Sequence, residues 1–225
     1  DTPWMGEWAC DDARPALVKR TQQAQAVDRM SPELINDARR GYYGLITHID
    51  YNLGRIIGAV QDTGPFDAYT VNDNTLMAFA SDHGDLIGDH HMIAKGEFFE
   101  GSAHVPMVIR LPRTWDNRRA GTTIGHAVTL HDLLPTLVTA AGGDVPAAVE
   151  GQDLVALARG TLASPRRYVV GGQGFSRKAP DRIAWAGCTD GVWKYVWYYA
   201  DGAEQLFDLD SDPRELHNLA GDTAY

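Results

Sequence analysis

The chain has 225 residues, 44% of them hydrophobic and 22% charged, with a formal net charge of −10. That length can bury a real core, as one large domain or one domain with a small appendage. The acidic balance argues against a nucleic-acid partner, which needs a basic face. No run of about 18 apolar residues occurs, so no membrane span is expected.

Residues 1–30 lack clear periodicity, and Trp4 and Trp8 read as aromatics on a loop. Ser31-Pro32-Glu33 is a helix start, with serine as cap, proline in the first turn and an acid behind it. Tyr42, Ile46, Ile49, Leu53, Ile56 and Val60 then recur at helical spacing, so residues 31–62 form a helical region expected to cover one face of a sheet. His48 lies on this helix and reads as structural.

Two short apolar runs follow, over 76–80 and 105–109, and read as buried neighbouring strands. Leu130 opens a helix that Pro135 should kink and Gly142-Gly143 should stop, with His131 and Asp132 as helix-start groups. Residues 126–128 read as a short extended piece. From Arg167 the period changes to two, predicting four antiparallel strands near 168–170, 182–185, 192–199 and 205–209. Turns are expected at Gly171-Gly172, Asp190-Gly191 and Asp201-Gly202, and a closing helix after Pro213. Trp193, Tyr195, Trp197 and Tyr199 read as sheet packing rather than a sugar platform.

The polar segment between the two apolar runs carries the candidate chemistry. Asp82 and His83 stand where the first strand ends, which is where open α/β sheets bind ligands. A hard oxygen beside an imidazole nitrogen suits a divalent cation, and Gly84 lets the chain turn sharply after them. Lys95 adds a mobile ammonium able to meet an anion held by that metal. The plainer reading of the same residues is a solvated loop with ordinary surface charge.

The ordered set Ser81-Asp82-His83-Gly84, Gly88-Asp89-His90 and Lys95-Gly96 through Phe99-Glu100 to Val105-Pro106 resembles the sulfatase family of the alkaline phosphatase superfamily. The run from Tyr42 to Ile57, the segment around Leu133-Pro135-Thr136 and the ending Leu206 to Leu219 resemble the same family. His104 departs from the pattern, which usually has arginine there. The resemblance implies a partial alkaline-phosphatase-like fold, with a mostly parallel sheet flanked by helices over residues 1–160. A small C-terminal antiparallel sheet with a closing helix would occupy residues 161–225.

It also implies a sulfuric ester hydrolase with Asp82 and His83 on a divalent metal, calcium first, with manganese or zinc as alternatives. Lys95 would be the catalytic residue, and the substrate a small-molecule or carbohydrate sulfate ester. The family's formylglycine arises in a C/S-x-P-x-R motif. Neither Cys10 nor Cys188 lies in one, and no counterpart of the family's further metal aspartates is found. The chain, which opens on Asp1 with neither an initiator Met nor a signal peptide, therefore reads as the carboxyl-terminal portion of a sulfatase, inactive unaided. A phosphodiesterase or phosphonate monoester hydrolase of the same superfamily is the second reading, and a non-catalytic binding module the third. Compartment and oligomeric state stay open, since the two cysteines match no metal or redox spacing.

Overall fold

The computed structural model describes residues 15–61, 71–115, 120–163, 165–174 and 185–224. The loop aromatics Trp4 and Trp8 and Cys10 lie outside them, as do residues 182–184 of the second expected C-terminal strand. Five helices occur among these residues: α1 (Ala16–Gln25), α2 (Pro32–Gln61), α3 (Glu100–Ala103), α4 (Leu133–Ala140) and α5 (Leu154–Arg159). The strands are β1 (Met77–Ala80), β2 (Met107–Arg110), β3 (Val169–Gln173), β4 (Trp185–Thr189), β5 (Trp193–Tyr198) and β6 (Glu204–Asp208). Helix α1 falls in a stretch where no periodicity was expected. Only Val18 and Gln22 of it are buried, too few to mark a stripe.

β1 and β2 pair as expected, with Phe79 opposite Val108. The pair is antiparallel, and both strands are half-exposed rather than buried. Two strands make too narrow a sheet to be covered on both faces. α2 forms at full length, yet Ile46, Ile49 and Ile56 of its apolar stripe stay exposed instead of covering the sheet. Leu45 is 63% and Ile56 61% exposed, and Ile35 alone on α2 is buried.

The core sits instead between the C-terminal sheet and the segment that follows β1. Leu86, Met92, Phe98 and Phe99 pack against Trp185, Val196, Tyr198 and Phe207. The sheet has the order β3-β4-β5-β6 and is antiparallel throughout. β5 alternates cleanly, with Lys194, Val196 and Tyr198 inward and Trp193, Tyr195 and Trp197 outward. Asp190-Gly191 and Asp201-Gly202 turn the chain, with φ of 94° and 67° at the glycines. Gly171-Gly172 does not turn it; both residues lie within β3. A Cβ at Gly171 would come 3.1 Å from the Phe98 ring and one at Gly187 2.7 Å from it, so the two glycines form the bed for that ring. No closing helix forms: residues 210–224 are turns, with φ of 57° at Glu215. Residues 126–128 join no ladder.

α4 begins late enough that Pro135 falls in its first turn, where no amide bond is lost and no kink results. Asp132 is the helix-start group expected, closing a capping box with Thr129. Its buried carboxylate also accepts from Gln152 N at 2.7 Å and pairs with Arg166. Asp153 caps α5, accepting from Val155 N at 2.8 Å and Ala156 N at 3.2 Å. Asp132→Ala leaves Arg166 and two amides without their acceptor. It is expected to cost about 3 kcal/mol or more, read as a lower urea midpoint at unchanged m-value.

Candidate functional site

The chain leaves β1 at Ser81 and enters a turn held by its own side chains. Ser81 Oγ donates to His83 O at 2.7 Å, and His83 N donates to Asp82 Oδ1 at 3.0 Å. His83 Nδ1 lies 2.9 Å from Gly84 O. As a donor there, Nδ1 leaves Nε2 with a free lone pair, and that atom stands 3.4 Å from Asp82 Oδ2. Both side chains are exposed, Asp82 83% and His83 40%, so the two acceptor atoms are open to a shared divalent cation. The structure thus brings together the two residues that sequence singled out as metal ligands. Among the described residues no cluster of three or more His, Cys, Asp or Glu side chains that could hold a metal ion occurs.

Gly84 is there for space. A Cβ on it would lie 2.2 Å from Gly101 O, since the turn is pressed against α3. Gly84 N donates to Ser102 O at 2.8 Å, and Gly96 N donates to Ser102 Oγ at 3.2 Å. One buried serine therefore ties the Asp82-His83 turn to the backbone next to Lys95. Sequence reading passed over Ser102; its only signal was its place in the Glu100-Gly101-Ser102-Ala103 stretch. Lys95 itself is exposed.

The segment from Asp85 to Gly96 is unusually rich in left-handed backbone. Ile87, His90, His91 and Ala94 have φ of 43°, 52°, 55° and 63°. Such conformations cost of order 1 kcal/mol or more each and persist where the surroundings impose them, often at functional sites. Here the surroundings are identifiable. Asp85 Oδ1 accepts from Ile87 N and Ala94 N, at 3.0 and 2.9 Å. Gln22 Nε2 donates to His90 O at 2.7 Å, and Gln25 exchanges hydrogen bonds with Ile93. His90 is stacked on Phe99 at 3.8 Å, and burial pushes its ring down to about 4. It is a neutral core group.

The C-terminal sheet grips the next residues. Trp185 Nε1 donates to Gly96 O at 2.8 Å, and Phe98 stacks on the Trp185 ring at 4.9 Å. Lys194, 1% exposed, donates to Phe98 O at 2.8 Å and pairs with Glu215 at 2.7 Å and Glu100 at 2.5 Å. Glu215 in turn accepts from Glu100 N at 2.6 Å. Burial pushes Glu215 up to about 7 against the pull of Lys194. Burial also acts upward on Glu100, but the hydrogen bond to His104 and the charge of Lys194 outweigh it and hold that carboxyl at about 2. His104 Nδ1 lies 2.6 Å from Glu100 Oε2, and this bond raises the imidazole.

Two outcomes are expected. Lys194→Met leaves two acids facing each other in the interior and should cost about 3–5 kcal/mol in chemical denaturation. Glu100 has a lowered folded-state pKa, so its stabilisation is present above the ordinary 4.5 and is lost as pH falls toward about 2. Denaturation midpoints should fall over that window, and less steeply in Glu100→Gln.

The family profile Sulfatase matches residues 5–143, and the profile N-sulphoglucosamine sulphohydrolase, C-terminal, matches residues 88–225. An arylsulfatase of Clostridium perfringens is 33% identical over 223 residues, covering 99% of this chain and 44% of the relative. Arylsulfatase K of Xenopus laevis is 36% identical over 199 residues, covering 83% of this chain and 34% of the relative. The solved phosphonate monoester hydrolase of Agrobacterium radiobacter superposes with a TM-score of 0.75 at 30% identity, over 95% of this chain and 47% of that one. The chain thus spans less than half the length of these proteins. Two overlapping profiles, together reaching nearly every residue, place the chain in the sulfatase family, within the alkaline phosphatase superfamily.

Proposed function

We propose that this chain supplies the metal-binding turn and the leaving-group lysine of a sulfuric ester hydrolase. The observation that carries the reading is the Asp82–His83 acceptor pair, tied through Ser102 to the backbone beside Lys95. Relatives named arylsulfatase, at 33% and 36% identity, support the same reaction class.

Asp82 Oδ2 and His83 Nε2 fit a divalent cation as two of its ligands, and calcium is the metal that the family resemblance implies. Bound there, the cation would polarise the sulfonate and stabilise an oxygen nucleophile. The remaining ligands and the formylglycine belong to the part of the enzyme that this chain does not span. The chain's own residues do the rest. Gly84 and Ser102 hold the turn, His83 Nδ1 fixes the tautomer on Gly84 O, and Trp185 holds Gly96 beside Lys95. When the sulfur–oxygen ester bond breaks, its electron pair stays on the departing alcohol oxygen. An ammonium next to that oxygen acts mainly in the transition state. Lys95 is the residue assigned to that work. The likeness to a phosphonate monoester hydrolase fits the second reading, in which the same turn serves a phosphorus ester, but no better than the first.

Calcium binding tests the turn directly on this chain. Calorimetry should give heat with Ca2+ that Asp82→Asn and His83→Ala each weaken at least tenfold, at unchanged circular dichroism. No difference between variants would reject the pair as ligands. In the complete enzyme, Lys95→Ala is expected to lower kcat about a hundredfold or more, roughly 3 kcal/mol, with metal content intact. Lys95→Arg should not restore it, because the planar fork cannot occupy the same point position. Near-normal turnover of Lys95→Ala on an aryl sulfate with a poor leaving group would make Lys95 a solvated loop charge.

A further inference from the structure

Glu97 is an acid placed where its charge has no counterpart. It stands two residues beyond Lys95 and is 6% exposed. Its Oε1 accepts from Thr21 Oγ1 of α1 at 3.0 Å. Its Oε2 is buried and has no hydrogen-bond partner among the described residues. From β5 comes the buried Tyr198 phenol, which donates to Gln205 Oε1 at 2.7 Å; burial and then the Glu97 charge push it up. Lys194, the cation on the same inward face of β5, is taken up by Glu100 and Glu215. Asp201 and Glu215, which also act on Tyr198, are acids, and His90 is neutral. Lys19 and Arg20 on α1, and Lys95 on the loop, are exposed.

An ionised carboxylate at Glu97 has lost its water and gained a single hydrogen bond. A neutral carboxyl in the same place costs far less. Burial accordingly raises Glu97 above the ordinary carboxylate range, against the pull of the Thr21 hydroxyl. What the group holds is α1. That helix has ten residues, of which only Val18 and Gln22 are buried, so it is too short and too thinly packed to persist undocked. Its side chains tie it to the lysine loop: Thr21 to Glu97, Gln22 to His90 O, and Gln25 to Ile93 in both directions. The last two support the left-handed stretch that holds His90, His91 and Ala94. Among these ties only Thr21–Glu97 ends on a titratable group.

We infer that Glu97 is a positioning residue for Lys95 that works as the neutral acid, latching α1 to the lysine loop when protonated and releasing it when ionised. Ionisation puts an uncompensated charge between α1 and β5, and undocking α1 returns that carboxylate to water. The left-handed segment then loses its outer support, and the Lys95 ammonium its fixed place. Because the folded-state pKa of Glu97 is raised, its stabilisation is complete below the ordinary 4.5 and is lost as pH rises through the folded value. This is the opposite sense to Glu100, whose contribution is lost as pH falls. For turnover the inference rests on the work proposed for Lys95; for the shape of the loop it does not.

The test follows amide exchange of this chain over about pH 5 to 9, corrected for intrinsic rates, in wild type and in Glu97→Gln. Gln keeps an acceptor for Thr21 and cannot ionise. Protection over 19–25 and 90–96 should fall with rising pH about tenfold further in wild type than in Glu97→Gln. Glu215 and Asp89, also raised by burial, lose stability in the same direction, so the difference between the two proteins is the reading. Glu97→Leu has neither charge nor acceptor, and should be less protected over 19–25 at low pH and no more pH-sensitive than Glu97→Gln. The carboxyl 13C resonance of Glu97 should titrate above 4.5. A titration at or below that value, or a pH course shared by wild type and Glu97→Gln, would each overturn the inference. The titration is read in wild type, so it decides even where a variant fails to fold. None of these readouts is turnover, so failure of the latch and failure of the role proposed for Lys95 are told apart.

Discussion

A single buried ammonium holds the described structure together. Lys194 comes from the inward face of β5 and meets three acceptors at once: Phe98 O, Glu100 and Glu215. A charge 1% exposed is tolerated only when its partners compensate for lost water, and here two carboxylates and a carbonyl do so. Those partners come from the loop beyond β1 and from the C-terminal turns. The bond therefore joins sequence-distant segments that share little regular structure. Phe98 then lies between Lys194 and Trp185, its ring settled over two glycines of the sheet.

That clamp explains how a loop with so much left-handed backbone keeps one shape. The sheet holds it at Gly96, Phe98 and Glu100, and α1 holds it at His90 and Ile93. Strain in Ile87, His91 and Ala94 is offset by these fixed ends and by the two amides on Asp85. The C-terminal sheet is thus the platform on which the lysine loop is built. The serine between the two arms of the site carries that rigidity from the Lys95 side to the Asp82 side. Proximity of this kind matters because catalytic groups lose much of their effect when displaced by an ångström.

The amino-terminal side of the site shows the opposite situation. α2 has the propensity, cap and stripe of a core helix, and β1 and β2 pair in register. Yet among the described residues Ile46, Ile49, Phe79 and Val108 stay more than a third exposed. Local signals make the elements; only neighbouring strands can bury them.

By itself, the sequence determined the elements whose signals are local. Period-two alternation located β3, β5 and β6, while of the strand expected at 182–185 only Trp185 is described, opening β4; two Asp-Gly pairs located turns, and Ser31-Pro32 located the start of α2. The spacing of Asp82, His83, Gly84, Lys95 and Val105-Pro106 located the candidate site and the family. Tertiary structure decided whatever depends on contacts far apart in sequence. Gly171-Gly172 resembles a turn until Phe98 is seen lying on it. The final segment has helix signals, but Glu215 is drawn inward to Lys194 through left-handed backbone, and no helix forms. Ser102, small and mid-loop, carries no pattern of its own; its role exists only because two remote amides converge on it. Antiparallel pairing of β1 with β2 was likewise invisible, since hydrophobic period reports which face is apolar and not which way a neighbour runs.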